Sequence, residues 1–338
     1  MGNLMNMFRW QTGREQLERQ RRDFEGQLER QKRDFQEQLE RQKRDFEDEL
    51  NQVPLDEPWI FKNGIFSKET KDNFFESILN TTATSACNIN LVVIGAVGSG
   101  KSSLVNTMKT VFRDSEEIST IASVYGIEHG SITKKFHQVV LKTLQNGKQL
   151  LIHDTRGIHA ETEIMLADIK DVIGGHVRKD YEFSKTPVAD LRNMVDSPYI
   201  ANPTLDQKMH CVLIVIDVNN VDKNGDIEEI ERLPLRSVIS HLHSENIPFR
   251  LVLTKLDIQL DQEFLSAHNY DMGCIIKSRH ARKQYEQAKS KFDMQNSQVL
   301  PVINYTKEYE RNVVLDVFAL AAMKNIVQEA TSYIENNM

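Results

Sequence analysis

The chain has 338 residues, 40% of them hydrophobic, and a formal net charge of -7 at pH 7, enough to bury one substantial core and carry an appendage. The acidic balance excludes a nucleic-acid binder driven by bulk electrostatics, which needs a basic face. Three widely spaced cysteines, Cys87, Cys211 and Cys274, fit no metal or redox spacing. They suit free thiols in a reducing compartment, so a soluble cytoplasmic protein is expected.

In chain order, residues 1–13 form a leader beginning MGNLMNMF. Gly2 stands where an acyl chain is attached in N-myristoylated proteins, but Asn6 occupies the place of the usual Ser or Thr. Membrane association is not expected, while N-terminal acylation stays open. No signal-peptide core is present, and the longest apolar run, 211–216, stops at Asp217, too short for a membrane span.

Residues 14–52 read as a long helix built on an eleven-residue repeat: RQRRDFEGQLE, RQKRDFQEQLE, RQKRDFEDELN. Phe24, Leu28, Phe35, Leu39, Phe46 and Leu50 form a narrow apolar stripe continued upstream by Leu17. An eleven-residue period, about 3.67 residues per turn, predicts a nearly straight or slightly right-handed coiled coil. At about 1.5 Å per residue the rod is roughly 60 Å long. Its stripe needs a partner helix, a sheltering domain or a membrane surface, and the mixed charges favour helix pairing, hence a homo-oligomer. The plainer alternative is a solitary charged helix held by i, i+4 pairs. Gly26 weakens one turn.

Residues 53–88 form a linker, broken by Pro54 and Pro58, with a short amphipathic helix over 67–79. Residues 89–338 make the main domain. Strands are predicted at 89–94, 136–141, 150–153, 211–216, 249–253 and 299–303, and helices at 102–112, 163–173, 226–242, 275–291 and 312–336. That alternation predicts a doubly wound α/β sheet of the P-loop NTPase kind, a GTPase-like G domain, whose ligand sits at the carboxyl ends of the strands. The connection before Cys211, with Pro187, Pro198 and Pro203, is long for such a fold and is either a functional lid or packing decoration.

Three motifs carry the chemistry. The run NLVVIGAVGSGKSSL places G-x-x-x-x-G-K-S between a strand and a helix. Its loop, Gly95, Ala96, Val97, Gly98, Ser99 and Gly100, can turn successive N–H groups onto a phosphate at the positive end of the helix dipole. Lys101 then reaches the β- and γ-phosphates, and Ser102, beside Ser103, binds Mg²⁺. After the third strand comes Asp154-Thr155-Arg156-Gly157, where Asp154 suits water-mediated Mg²⁺ binding and the Gly157 N–H suits the γ-phosphate. After the fifth comes Thr254-Lys255-Leu256-Asp257. Asp257 can accept both N1–H and N2–H₂ of guanine, a donor pair adenine lacks, with the Lys255 stem along the base. Together these predict a site for GTP or GDP with Mg²⁺; ATP is the alternative. Asn304 could present backbone to the base.

A further Mg²⁺ ligand is expected from Thr120, Ser131 or Thr133, with Thr133 preferred as nearest the second strand. Hydrolysis wants a water-orienting group just after D-x-x-G. Ile158 stands there, with His159 as a possible substitute, so basal turnover should be slow unless a second copy or a partner completes the site. The alternative is a nucleotide-loaded scaffold that never turns over. Arg156 is either a phosphate contact or a surface ion-pair partner, and His241-x-His243 is spaced wrongly for a shared metal on a helix.

With these residues in place, the chain resembles the interferon-induced protein 44 family. The resemblance rests on PWIF near Trp59, VIGAVGSGKSSLVNTMKTVFR, GSITKKF, DTRG, SPYIANPTLDQKMHCVLIVID and VINYTKEYERNVVLDVFALAAMKNI, roughly residues 57–335. It implies a cytoplasmic, immune-associated GTP-binding protein, and the GSITKKF match is a further reason for choosing Thr133. The eleven-residue repeat departs from the family, whose N-terminal region is globular, so partners tied to that region do not carry over. T-K-L-D is intact here, which strengthens the case for guanine.

Overall fold

The structure, a computed structural model, describes residues 2–61, 66–83, 85–120, 135–155, 157, 163–183, 186–220, 229–258, 260, 262–268 and 271–338. The chain divides into two compact units, Met1–Pro54 and Leu55–Met338. The first is helix α1, Gly2–Gln52, which takes in residues 2–13 as well as the repeat. Its stripe is uncovered: Phe24, Phe35 and Phe46 are 67%, 67% and 68% exposed. The repeat also supplies intrahelical support of the expected i, i+4 kind, Arg21 Nε donating to Glu25 Oε1 at 2.9 Å.

The second unit opens with α2, Lys68–Ala83, and continues through β1 (Ile89–Gly95), α3 (Lys101–Val111), β2 (His137–Thr143), β3 (Gln149–Asp154) and α4 (Glu163–Ile173). Then follow β4 (Cys211–Asp217), α5 (Glu229–Ser244), β5 (Phe249–Thr254), α6 (Gln262–Ala267), α7 (Arg279–Lys291), β6 (Val299–Pro301) and α8 (Val313–Asn336). The six strands make one sheet in the order β2-β3-β1-β4-β5-β6. All neighbours pair in parallel except β2 with β3, which are antiparallel with an irregularity between Val140 and Lys142. β1, β4 and β5 are buried along their whole lengths, which is why they read as continuous apolar runs rather than alternating ones.

Two apolar layers cover the sheet. On one face Leu91 and Val93 of β1 pack with Leu104 and Met108 of α3 and with Met323, Ile326 and Ala330 of α8. On the other, Val92 and Ile94 pack with Ile169 and Val172 of α4, Val238 and Leu242 of α5, and Ala281 and Tyr285 of α7. The long connection before β4 joins this second layer. Val177, Tyr181, Phe183 and Val188 are buried in it, Phe136 N donates to Tyr181 O at 2.7 Å and Asp180 N to Phe136 O at 2.9 Å, and the buried carboxylate of Asp168 accepts from Val188 N at 2.8 Å. Of the two readings of this connection, packing decoration fits its described residues.

One predicted helix is shortened. Within 275–291 the α-helix begins only at Arg279, capped by Ser278 Oγ on Ala281 N, and Met272–Lys277 form a 3-10 helix instead. The reason is tertiary: the PWIF segment hangs on that turn, Trp59 N donating to Ile276 O and Trp59 Nε1 to Ile275 O, both at 2.9 Å. The Trp59 ring lies 5.0 Å from that of Tyr285.

Candidate functional site

β1 ends at Gly95, and the chain turns through Ala96–Gly100 into α3. Gly95, Gly98 and Gly100 have φ of 154°, 79° and 91°, positive values that glycine alone adopts without cost. Space excludes a side chain at Gly95, where a Cβ would lie 2.3 Å from Val215 O in the adjacent strand, and is tight at Gly100, where one would lie 3.3 Å from both Asn304 Nδ2 and Thr254 Oγ1. Lys101 opens α3 and is buried, its Nζ donating to Ala96 O at 2.6 Å across the mouth of the loop. The Ser99 hydroxyl is buried with no hydrogen-bond partner among the described residues. Ser103 is buried beneath the first turn of α3, its carbonyl accepting from Thr107.

β3 delivers the second group. Ser102 Oγ donates to Asp154 Oδ2 at 2.9 Å. Asp154 Oδ1 is buried and has no partner among the described residues. Burial pushes the Asp154 carboxyl above its ordinary range, while neighbouring Lys101 and the Ser102 bond pull it down. The adjacent Thr155 donates to Val93 O at 2.7 Å, fixing the strand end. Gly157 is buried against the loop, where a Cβ would lie 2.7 Å from Val97 Cγ2 and 3.1 Å from Val97 N.

β5 delivers the third. Thr254 Oγ1 donates to Ser99 O at 2.7 Å, so this hydroxyl braces the loop. Lys255, with φ of 62°, spans from β5 to the loop, Nζ donating to Gly98 O at 2.8 Å and to Asp217 Oδ2 at 2.6 Å. Asp257 lies two residues on, half-buried. Burial raises its carboxyl, its own backbone N–H opposes that, and the charges of Glu308 and Asp217 add to the rise. Asn304, just past β6, sets its Nδ2 3.4 Å from Gly100 O and keeps a buried Oδ1 without partner among the described residues.

The structure therefore brings together the loop 95–100, Lys101, Ser102, Asp154, Gly157, Thr254, Lys255 and Asn304. Thr133, Ser131, Arg156, Ile158 and His159 lie outside the described residues; Thr120 is exposed. Sequence reading passed over Asp217, the anchor of Lys255, although an acid closing an apolar strand was a visible signal. It also missed the brace behind the loop that follows β6. There the buried carboxylate of Asp316 accepts from Tyr305 Oη at 2.9 Å and Arg311 at 2.8 Å, with Lys71 of α2 at 3.4 Å. A cavity of about 660 Å³ lies elsewhere, between Asn88, Gln149, His153 and Met209, and is not lined by the loop 95–100.

The residues fit a Mg²⁺–triphosphate group. The cradle is shaped by glycines that a Cβ would fill, Lys101 brings a cation to it, and one carboxylate, with an oxygen that has no hydrogen-bond partner among the described residues, sits beside a hydroxyl. Among the described residues no group of three or more His, Cys, Asp or Glu could hold a metal ion.

A doubly wound sheet with this loop between its first strand and the following helix, and with acids at the ends of β3 and β5, is a P-loop α/β domain of the GTPase-like class. It accompanies a long N-terminal helix. No family model matches the chain. It is similar to human interferon-induced protein 44-like, 26% identical over 260 residues, and to mouse interferon-induced protein 44, 26% identical over 254. Human interferon-induced protein 44 matches at 24% over 251 residues. These matches bear out the resemblance to that family. Each spans 73% of this chain but 53%, 56% and 53% of the relative, so the chain spans about half the length of the curated relatives it matches. Among solved structures, a dimerization-deficient Toc33 from Arabidopsis thaliana aligns at 15% identity and TM-score 0.41, covering 82% of this chain and 94% of that one. The FeoB G-domain from Methanococcus jannaschii aligns at 12% and 0.33, covering 73% and 99%. Among the described residues no helix is long and apolar enough to cross a membrane.

Proposed function

We propose that the unit Leu55–Met338 binds GTP and GDP with Mg²⁺, turns GTP over slowly, and acts in innate antiviral defence in the cytoplasm, with α1 bringing copies together. The observation that carries the nucleotide reading is the stitching of two motifs 157 residues apart in sequence: Lys255 Nζ on Gly98 O, and beside it Thr254 Oγ1 on Ser99 O. One nucleotide can then lie with its phosphates on the loop and its base beside Asp257. The interferon induction named in the relatives supports the setting.

In this reading the N–H groups of Gly95–Ser103 and the Lys101 ammonium hold the phosphate oxygens, and Lys255 lays its methylene stem under the base while its head stays on Gly98 and Asp217. Ser102 and Asp154, with Thr133, would hold Mg²⁺, which supplies positive charge against the phosphates when bound. Ionised Asp257 accepts from N1–H and N2–H₂ of guanine, and the Gly157 N–H answers to the γ-phosphate. Ile158 offers no hydrogen bond to water, so water is poorly oriented by this chain alone and turnover is slow; His159 or a second copy would supply what is lacking.

The test is competition by GTP, GDP and ATP against a fluorescent GDP on the full chain, with Asp257→Asn alongside. GTP and GDP should compete equally, ATP should be weaker by about a hundredfold, and the substitution should erase that gap. Equal competition by ATP overturns the guanine assignment. Phosphate release measured over a range of protein concentrations separates slow turnover, rising per molecule with concentration, from a scaffold that releases none.

A further inference from the structure

The loop after β6 is held from several sides. Val302 N donates to Leu253 O at 2.9 Å, Tyr305 N to Thr107 Oγ1 at 3.0 Å, and Tyr305 Oη to Asp316. Its backbone is thereby fixed against α3 and α8 up to Tyr305. The next two N–H groups turn to a side chain of the same loop: Thr306 N and Lys307 N both donate to Glu308 Oε2, at 2.7 and 3.0 Å. Glu308 is exposed, and because β5 and β6 pair side by side in parallel, the loops that carry Asp257 and Glu308 leave adjacent strand ends.

Guanine's hydrogen-bonding edge carries N1–H and N2–H₂ as donors and O6, next to N1, as an acceptor. If Asp257 takes the donors, O6 needs N–H groups from the neighbouring loop, and the two on hand are those of Thr306 and Lys307. We propose that Glu308 is a built-in competitor for the purine 6-position: its carboxylate occupies the N–H pair that guanine O6 would take, and binding of the base has to displace it. The proposal rests on the guanine reading above. The geometry supports an exchange of acceptors at fixed donors. An ionised oxygen is the stronger acceptor, but Glu308 is exposed to water, and its displacement separates two like charges. Glu308 therefore lowers guanine affinity and blunts discrimination at position 6, because while it holds the N–H groups the loop presents an acceptor rather than donors.

The experiment compares GDP with 6-thio-GDP, which keeps N1–H and N2–H₂ but carries a weak acceptor at position 6, on the full chain and its Glu308→Ala and Glu308→Gln variants. Glu308→Ala should bind GDP about tenfold more tightly, the worth of one or two hydrogen bonds, and gain less than about threefold for 6-thio-GDP. Glu308→Gln, a weaker acceptor of the same size, should fall between. Equal gains for both nucleotides would reduce Glu308 to a repulsive charge, and no gain would remove it altogether; either overturns the competitor. Asp257→Ala separates the two ideas. If it leaves the preference for GDP over ADP intact, the guanine reading fails and the competitor with it, whereas if the preference collapses while Glu308→Ala changes nothing, only the competitor falls.

Discussion

Ser102 donates to one carboxylate oxygen of Asp154 at 2.9 Å, and the acid's other oxygen is buried with no hydrogen-bond partner among the described residues. A buried oxygen left bare costs about 1–3 kcal/mol, and a divalent ion nearby offsets that cost. Burial already raises the Asp154 carboxyl, so Asp154→Asn removes a charge the fold holds reluctantly. We expect the variant to melt at or above the wild-type temperature while losing the Mg²⁺ dependence of nucleotide affinity, about tenfold or more. Titrations with and without chelator measure it; an undiminished response to Mg²⁺ would take Asp154 out of the site.

Gly157 and Val97 touch so closely that a methyl group has no room. A Cβ on Gly157 meets both the side chain and the backbone of Val97, and the backbone cannot yield without moving the loop. Gly157→Ala should therefore weaken nucleotide binding by about tenfold or more, at a stability cost of about 1–3 kcal/mol. Unchanged affinity in a calorimetric titration would show that loop 95–100 and segment 154–157 are not mechanically linked.

Strands β1, β4 and β5 were legible because burial on both faces makes apolar runs that local reading detects. The reversed direction of β2 was not read, although its signal was present: Asn146-Gly147 closes the hairpin to β3, with Gly147 at φ 77° and its N–H on Leu144 O. The break before α7 was masked because Ile275 and Ile276 continue the apolar periodicity, and what helps to hold their carbonyls in the 3-10 turn is Trp59, more than 200 residues upstream. At the site, the motif residues were visible one by one. Their couplings, Lys255 to Asp217 or Thr254 to Ser99, join the ends of different elements, and a single sequence does not record which strands lie side by side.

His153 predicts the acid response of the fold. Asn90 Nδ2 donates to two backbone carbonyls, Asp206 O and Lys208 O, so its Oδ1 faces His153 Nε2 at 3.4 Å as an acceptor. Burial pushes the imidazole down from 6.5 to about 3, and the ring stays neutral in the fold. A depressed native pKa contributes stability above the unfolded value, and that contribution fades as pH falls from about 6.5 toward 3. Between pH 7 and pH 5 the loss from His153 alone is about 2 kcal/mol. Asp168, raised by burial to about 6, works in the opposite sense, adding stability as pH falls through 6. Denaturant midpoints of wild type and His153→Phe at the two pH values isolate the histidine: the variant should be the less acid-sensitive by about that amount. Parallel pH profiles would mean the ring is charged or solvated in the native state.

The last expectation concerns α1 on its own. Phe24, Phe35 and Phe46 stand at eleven-residue intervals, each about two-thirds exposed, and each is followed four residues on by a leucine, Leu28, Leu39 and Leu50, at 43%, 41% and 45%. A straight stripe of this kind on an otherwise charged helix gains by burial against a like stripe, and each phenylalanine so covered contributes roughly 1.5–3 kcal/mol. The Arg21–Glu25 pair at 2.9 Å is exposed at both ends and adds little, so intrahelical charge pairing is a weak substitute for a partner. Phe35→Asp with Phe46→Asp should therefore lower the mass seen by light scattering from oligomer to monomer, as should removal of residues 1–52, while GDP affinity stays as it was. An oligomer that survives both changes would leave α1 as a solitary charged rod and move self-association to the unit Leu55–Met338.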